Sequence, residues 1–393
     1  MIKTHFSLRL LLIVTSLLIA CVISEIFLRF YGQTNKYGEF FIRGLICPSY
    51  EYTSRNLSSR LKPQLTGHGS FVQYDPHLGW DPKNVTSKNG LYSFNQDGIR
   101  THSTNVVIPT EPKPEVLRIA VFGDSFTMGE DVIFENTWDS FLTYALGAHG
   151  ISTETINFGF RAFGIDQAFL RWELTGKKIH PRVVILGLQL ENIYRNGNLI
   201  RAFYVPVGLP LSKPRFILED KKLKLINVPP PRPEEIENII EDFSSWPYSK
   251  FELWYDSAVY NGRVFFKSRL ISFVYAWFQE KIGKTRLRQD QLIDLSLEII
   301  LKFKQSVEET GAKFYVVYLP VKHELVPMLS GHQAEEQRLV DLLKKAGVDV
   351  IDPSQQLLDQ IKKTTLMEVI PYHYTPSTNK IIAQTIAARM TEQ

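Results

Sequence analysis

Ser125 stands where a serine can be made into a nucleophile. It closes the run Leu117-Arg118-Ile119-Ala120-Val121-Phe122-Gly123-Asp124-Ser125 and is followed by Phe126-Thr127-Met128-Gly129. Ile119 to Phe122 is continuously apolar, the pattern of a strand covered on both faces, and Gly123 and Gly129 permit a tight passage from strand to helix. Ser125 then falls at a helix N-terminus, where unpaired backbone N–H groups favour a developing negative charge. The same residues also allow a plain strand-to-helix turn in which Ser125 is an N-cap. A covalent role asks in addition for a base and for oxyanion donors.

Three further segments follow in order: Asn157-Phe158-Gly159-Phe160-Arg161-Ala162-Phe163-Gly164-Ile165-Asp166-Gln167, then Pro181 through Asn192, then Tyr372-His373-Tyr374-Thr375-Pro376. Together with Gly123-Asp124-Ser125 they resemble the blocks of the GDSL or SGNH hydrolases. The resemblance implies Ser125 as nucleophile, His373 as general base, and an oxyanion hole built from backbone N–H groups at Ser125 and in the second block and from an Asn side chain in the third. Ala162 falls where the second block usually has Gly, a position that asks for positive φ. In the third block an unshifted alignment puts Glu191 at the Asn position, and a one-residue slip gives the donor role to Asn192. The family acid lies two or three residues before the His, and here those positions are Pro371 and Ile370. Glu368, five residues before His373, is the nearest candidate, with Asp352 and Asp359 farther away. The implied catalytic set is therefore Ser125, His373 and Glu368, with Ser125, Ala162 and Asn192 around the oxyanion. Upstream, Tyr74-Asp75-Pro76-His77-Leu78-Gly79-Trp80 and Asn95-Gln96-Asp97-Gly98-Ile99-Arg100 resemble the lead-in of membrane-anchored members associated with envelope polysaccharides.

Positioning these residues falls to an alternation of elements. Strands are expected at Leu117–Gly123, Thr153–Phe158, Val183–Leu188, Lys313–Leu319 and Val348–Ile351, with helices at Thr137–Ala148, Asp166–Thr175, Leu292–Thr310, His332–Lys345 and Ser377–Arg389. Such alternation argues for βαβ units, a parallel sheet and helices on both faces. Ser125, Ala162 and Asn192 would then emerge at the carboxyl edge of the sheet, where open α/β sheets bind ligands. The resemblance implies a three-layer, flavodoxin-like SGNH α/β fold with a central parallel sheet, preceded by an N-terminal membrane helix. The expected division is a signal anchor at 1–30, an extended lead-in at 31–115, a hydrolase-like core at 116–196 and 291–393, and an insertion at 197–290. That insertion holds Pro206, Pro210, Pro214 and the run Pro229-Pro230-Pro231-Arg232-Pro233. Its aromatics Phe265, Phe266, Phe273, Tyr275, Trp277 and Phe278 read as a lid, a membrane-facing surface or a helix packed on the sheet.

With 393 residues, 44% hydrophobic and 22% charged, the chain is of globular composition and long enough to bury a full core. Its net charge of +4 is small, and no basic cluster is interleaved with aromatics, which argues against a nucleic-acid partner. No His or Cys spacing suits a metal, the Gly spacing matches neither a P-loop nor a dinucleotide fingerprint, and no cofactor is expected. Cys21 lies in the apolar N-terminal run, which argues against a disulfide with Cys47. That run, Leu10 to Ile23, reads as an uncleaved signal anchor, and Leu18-Ile19-Ala20-Cys21 also fits a lipobox. Cleavage or a buried helix is the remaining alternative. The anchor reading makes a single-pass attachment, and both the anchor and the lipoprotein put the body outside the cytoplasm, an orientation that rests partly on the family resemblance. The expected activity is a serine esterase or O-acyltransferase acting on acyl or acetyl esters of an extracytoplasmic glycan or lipid. The alternative is a degenerate scaffold that binds glycan or protein partners. The oligomeric state is not written in the sequence.

Overall fold

The computed structural model describes residues 2–34, 40–42, 45–50, 57, 71–204, 211–260, 263–281 and 284–392. Pro206 and Pro210 of the expected insertion, and residues 51–56 and 58–70 of the expected lead-in, lie outside the described residues. The chain forms two compact units. One comprises Gly67–Ile200, Leu211–Pro233 and Asp290–Gln393, the other Met1–Thr66, Arg201–Pro210 and Glu234–Gln289.

The larger unit is built on a seven-stranded sheet: β1 (Ser93–Phe94), β2 (Arg100–Thr101), β3 (Leu117–Phe122), β4 (Thr153–Asn157), β5 (Val183–Leu188), β6 (Lys313–Tyr318) and β7 (Asp349–Ile351). Their spatial order is β7-β6-β5-β3-β4-β2-β1. β4, β3, β5, β6 and β7 are parallel, and register pairs Phe122 with Leu186, Val121 with Asn157 and Leu188 with Tyr318, so their carboxyl ends lie along one edge. β2 joins β4 antiparallel at Arg100 and Asn157, and β1 extends the sheet through β2. The sheet is thus mostly parallel, with an antiparallel edge supplied by the segment ahead of the first core strand.

Side-chain alternation divides the two faces. Ile119, Val121, Ile185, Tyr315 and Val317 point to one side, where they meet Trp138 and Leu142 of helix Trp138–Gly147, Leu357 of Ser354–Lys363, and Ile382 and Ile386 of Pro376–Thr391. Phe122 and Phe314 point to the other, where Phe122 meets Trp172 of helix Ile165–Leu174 and both meet Phe303 of helix Lys284–Glu308. Trp138, Phe122, Trp172 and Phe303 are completely buried, and truncating any of them to Ala costs about 3–5 kcal/mol.

Two helices not expected from the sequence, Lys322–Leu329 and Ser354–Lys363, also flank the sheet. Pro327 inside the first hides its helical signal. Where a helix was expected from His332, the chain instead makes a single 3₁₀ turn at Glu335–Gln337 before Arg338–Lys345.

In the smaller unit, the helix Ile2–Tyr31 is followed by three short antiparallel strands, Gln33–Thr34, Phe40–Ile42 and Leu45–Cys47. Leu28, Phe40, Ile42, Cys47 and Ala276 form a core cluster there, Ala276 coming from helix Arg269–Lys281. A second nucleus is aromatic, with Phe203 packed on Phe243, Tyr255 and Tyr260. Among the described residues, one helical stretch, Arg9–Tyr31, is long and apolar enough to be a membrane anchor or a signal sequence.

Candidate active site

The carboxyl end of β3 turns at Gly123, whose φ is +153° and where a Cβ would lie 2.3 Å from Thr127 Oγ1 and 2.7 Å from the Gly187 carbonyl. Only Gly fits that approach. Asp124 then caps the one-turn helix Ser125–Met128, its Oδ1 accepting from the Phe126 N–H at 2.9 Å. The Asp124 carboxyl is completely buried, and burial pushes its pKa up against the opposing pull of Arg195. Gly129 ends the turn in the left-handed region, and the Glu130 N–H returns to the Ser125 carbonyl at 2.9 Å. The chain therefore doubles back, which brings residues 130 and 131 beside the serine they follow.

Ser125 Oγ lies 3.0 Å from Nε2 of His373. The opposite ring nitrogen, Nδ1, lies 2.8 Å from Oδ2 of Asp131. Ser125, His373 and Asp131 thus form one hydrogen-bonded chain. A carboxylate on Nδ1 fixes the tautomer that leaves Nε2 free to accept the serine proton.

His373 is held from several sides. The Phe126 ring packs on it with centroids 4.8 Å apart, the Tyr374 hydroxyl donates to the Pro320 carbonyl at 2.7 Å, and Thr375 caps the following helix. Asp131 sits at φ +73°, a conformation Asp tolerates better than most residues, with its N–H bonded to the Tyr92 hydroxyl at 3.0 Å. The neighbouring Glu130 pairs with Arg161, and its Oε2 is 4.0 Å from His373 Nε2.

The expected oxyanion donors have their N–H groups open. Among the described residues, the backbone N–H groups of Ser125 and Ala162 and the Nδ2 of Asn192 make no hydrogen bond. Ala162 occupies φ +63°, at a cost of about 1–2 kcal/mol for a residue with a Cβ. The turn is held from outside by Trp80, whose Nε1 donates to the Arg161 carbonyl at 3.1 Å. Asn157 orders the other end of this segment: its Oδ1 accepts from Gly159 N–H at 2.9 Å, and its Nδ2 reaches the Thr127 carbonyl at 2.7 Å.

Arg195 joins the three segments. One nitrogen, Nη1, donates to Asp124 Oδ2 at 3.0 Å, the Phe163 carbonyl at 3.0 Å and Asn192 Oδ1 at 2.9 Å. Because a guanidinium can only donate, the Asn192 oxygen must face it, which turns Nδ2 away and leaves it available. Glu191, the other candidate for that position, pairs with Arg195 Nη2 at 3.2 Å.

Glu368, the acid expected nearest His373, is placed otherwise. Its Oε1 accepts from Thr365 Oγ1 at 3.0 Å, while its N–H donates to that same hydroxyl at 3.2 Å, by which Thr365 caps helix Leu366–Val369. The pattern Thr365-Leu366-Met367-Glu368 is that of a helix start, and Thr365 is its cap. Asp352 accepts from the Ser354 N–H and hydroxyl, and Asp359 is engaged by Gln355 and Lys362. Sequence reasoning missed Asp131, Arg195 and the Glu130–Arg161 pair. Asp131 follows the nucleophile segment directly, yet nothing local marks it before the one-turn helix Ser125–Met128 and the left-handed Gly129 turn the chain back.

No protein-family model matches this chain, and no curated protein matches it. Solved structures do. The chain is similar to the acetyl xylan esterase AlAXEase (12% identity, 69% of this chain and 98% of that chain covered, TM-score 0.38). It is similar to a lipase/acylhydrolase from Enterococcus faecalis (12% identity, 70% and 95% covered, TM-score 0.36). It is also similar to a catalytic mutant of an acetylxylan esterase from Geobacillus stearothermophilus (11% identity, 70% and 93% covered, TM-score 0.37).

Proposed function

We propose that this chain is an SGNH-type serine ester hydrolase, attached to a membrane by its N-terminal helix and acting outside the cytoplasm on acyl esters of a glycan or lipid. The observation that carries the reading is the Ser125–His373–Asp131 chain, with links of 3.0 and 2.8 Å. A scaffold that only bound ligand would have no use for an imidazole aligned between a serine and a carboxylate.

In this mechanism His373 Nε2 takes the Ser125 proton as Oγ attacks the ester carbonyl. The N–H groups of Ser125 and Ala162 and the Asn192 amide receive the oxyanion. Asp131 holds Nδ1–H and stabilises the imidazolium. As the tetrahedral intermediate collapses, His373 returns the proton to the departing alkoxide, leaving the acyl group on Ser125. Water activated by the same imidazole then releases the acid. A sugar hydroxyl in place of water makes the same site an O-acyltransferase.

Retention of the N-terminal helix in the finished protein is supported by its end belonging to a core: Leu28 is buried among Phe40, Ile42, Cys47 and Ala276. The test is fluorophosphonate labelling of the full chain beside its Ser125→Ala and His373→Ala variants. Labelling should fall by more than about 10³-fold in each. A folded wild type that resists the probe, or a Ser125→Ala variant that still reacts, would sink the covalent mechanism.

A further inference from the structure

Helix Arg269–Lys281 begins against the last turns of helix Ile2–Tyr31. The Glu25 carboxylate accepts from the N–H groups of Arg269 at 3.0 Å and Leu270 at 2.8 Å and from the Ser268 hydroxyl at 2.8 Å. Arg29 bonds the same carboxylate at 2.7 Å and the Lys267 carbonyl at 2.9 Å. One helix is thus capped by a side chain of the other. Glu25 is six residues before the end of the apolar stretch Arg9–Tyr31, a rise of about 9 Å. If that stretch spans the bilayer, the second helix starts at or below the membrane surface, and the carboxylate there has the partners such a depth demands.

The two faces of Arg269–Lys281 differ. Ser272 and Ala276 are buried, while Ile271, Val274, Trp277 and Phe278 are 43% to 54% exposed. These four lie at the spacing of one helical face. Exposed basic residues stand at both ends, Arg263 and Lys267 before the helix and Lys281 at its close. Between the two helices run two clefts. One of about 680 Å³ is lined by Phe27, Leu28, Tyr31, Phe273 and Trp277, and one of about 300 Å³ by Ile23, Phe27, Leu270 and Phe273.

We propose that Arg269–Lys281 lies in the membrane interface beside the anchor, with its Ile271, Val274, Trp277 and Phe278 face in lipid and acyl chains of membrane lipids filling the two clefts. The proposal rests on the anchor reading. An apolar face that starts at the depth of a span meets acyl chains before anything else, and flanking Arg and Lys suit anionic headgroups. The smaller unit then touches the bilayer at two elements, which fixes its orientation as one flexible tether would not.

The full chain is reconstituted into vesicles of phosphatidylcholine and phosphatidylglycerol whose acyl chains are brominated, beside the Trp277→Phe variant. Flotation with the vesicles is scored first, tryptophan emission second. Flotation, with bromolipid quenching the wild type more than Trp277→Phe, is the expected result. Flotation with equal quenching of the two overturns this inference and leaves the anchor standing. Equal quenching with a concentration-dependent blue shift of Trp277 gives the face to a second copy of the chain instead. No flotation overturns both readings.

Discussion

Two short turns carry carboxylates, one just after the nucleophile helix and one just before His373 in sequence, and they treat those carboxylates in opposite ways. At Thr365–Val369 the acid is held locally: the Glu368 carboxylate accepts from the Thr365 hydroxyl that caps its own helix. At Gly129–Val132 the backbone releases its acid. Asp131 stands at φ +73° with its N–H fixed by Tyr92, and its carboxylate projects to an imidazole 242 positions away in sequence. Nearness along the chain is therefore a poor guide to which acid serves a histidine. What decides is whether local N–H groups and hydroxyls have already claimed the oxygens.

The contrast is broken most directly by Asp131→Asn. Loss of the acid from a buried triad costs about 10⁴-fold. The Asp131 side chain is 58% exposed, so water takes over part of its task, and kcat/KM on an activated acetyl ester should fall about 10²-fold with little change in Tm. A loss under twofold would remove Asp131 from the mechanism. Glu130→Gln sharpens the contrast inside the same turn. Burial raises the Glu130 carboxyl above the usual range, against the pull of Arg161 and His373. The folded state then holds a proton that the unfolded state gives up, so stability declines as pH rises from the ordinary carboxylate pKa toward the folded value. Denaturant titrations at several pH values should show a flatter decline in Glu130→Gln; an identical slope would move that titration to another group.

At the other turn, Glu368→Ala removes the acceptor of the Thr365 hydroxyl and keeps the Thr365 cap on the backbone N–H of residue 368, so it should cost about 0.5 kcal/mol while activity stays within about twofold. An activity loss matching that of Asp131→Asn would reverse the comparison. The smallest effect is expected at Ala162→Gly. Relief of the positive φ is offset by the freer unfolded chain, leaving a net gain of about 0.5 kcal/mol. A clear loss of stability in thermal melts would mean that the methyl group packs usefully where it is.

How far the site could be read in advance follows from the range of each signal. β3 and Ser125 stood out because a continuous apolar run and two glycines are local patterns. Tyr372 through Pro376 stood out through its resemblance to a family block carrying a His, and Thr375-Pro376 is a local helix start. Asp131 did not, since its position depends on a four-residue helix, a left-handed Gly129 and a hydroxyl from Tyr92 acting together. Arg195 carries no local pattern that marks it, and only the folded chain shows one nitrogen gathering Asp124, Phe163 and Asn192. The antiparallel edge was hidden for a related reason. β1 and β2 are two residues each, too short for period-two alternation to register.

The sequence distance between acid and base also sets an order of events during synthesis. Ser125 and Asp131 leave the ribosome almost together, whereas His373 follows Asp131 by 242 residues. At ~5–20 residues per second that is a lag of roughly ten to fifty seconds. Throughout that interval the nascent chain carries a serine with no base to deprotonate it. His373 comes just ahead of the last helix, Pro376–Thr391, so the hydrogen-bonded chain Ser125–His373–Asp131 can close only when synthesis is nearly complete.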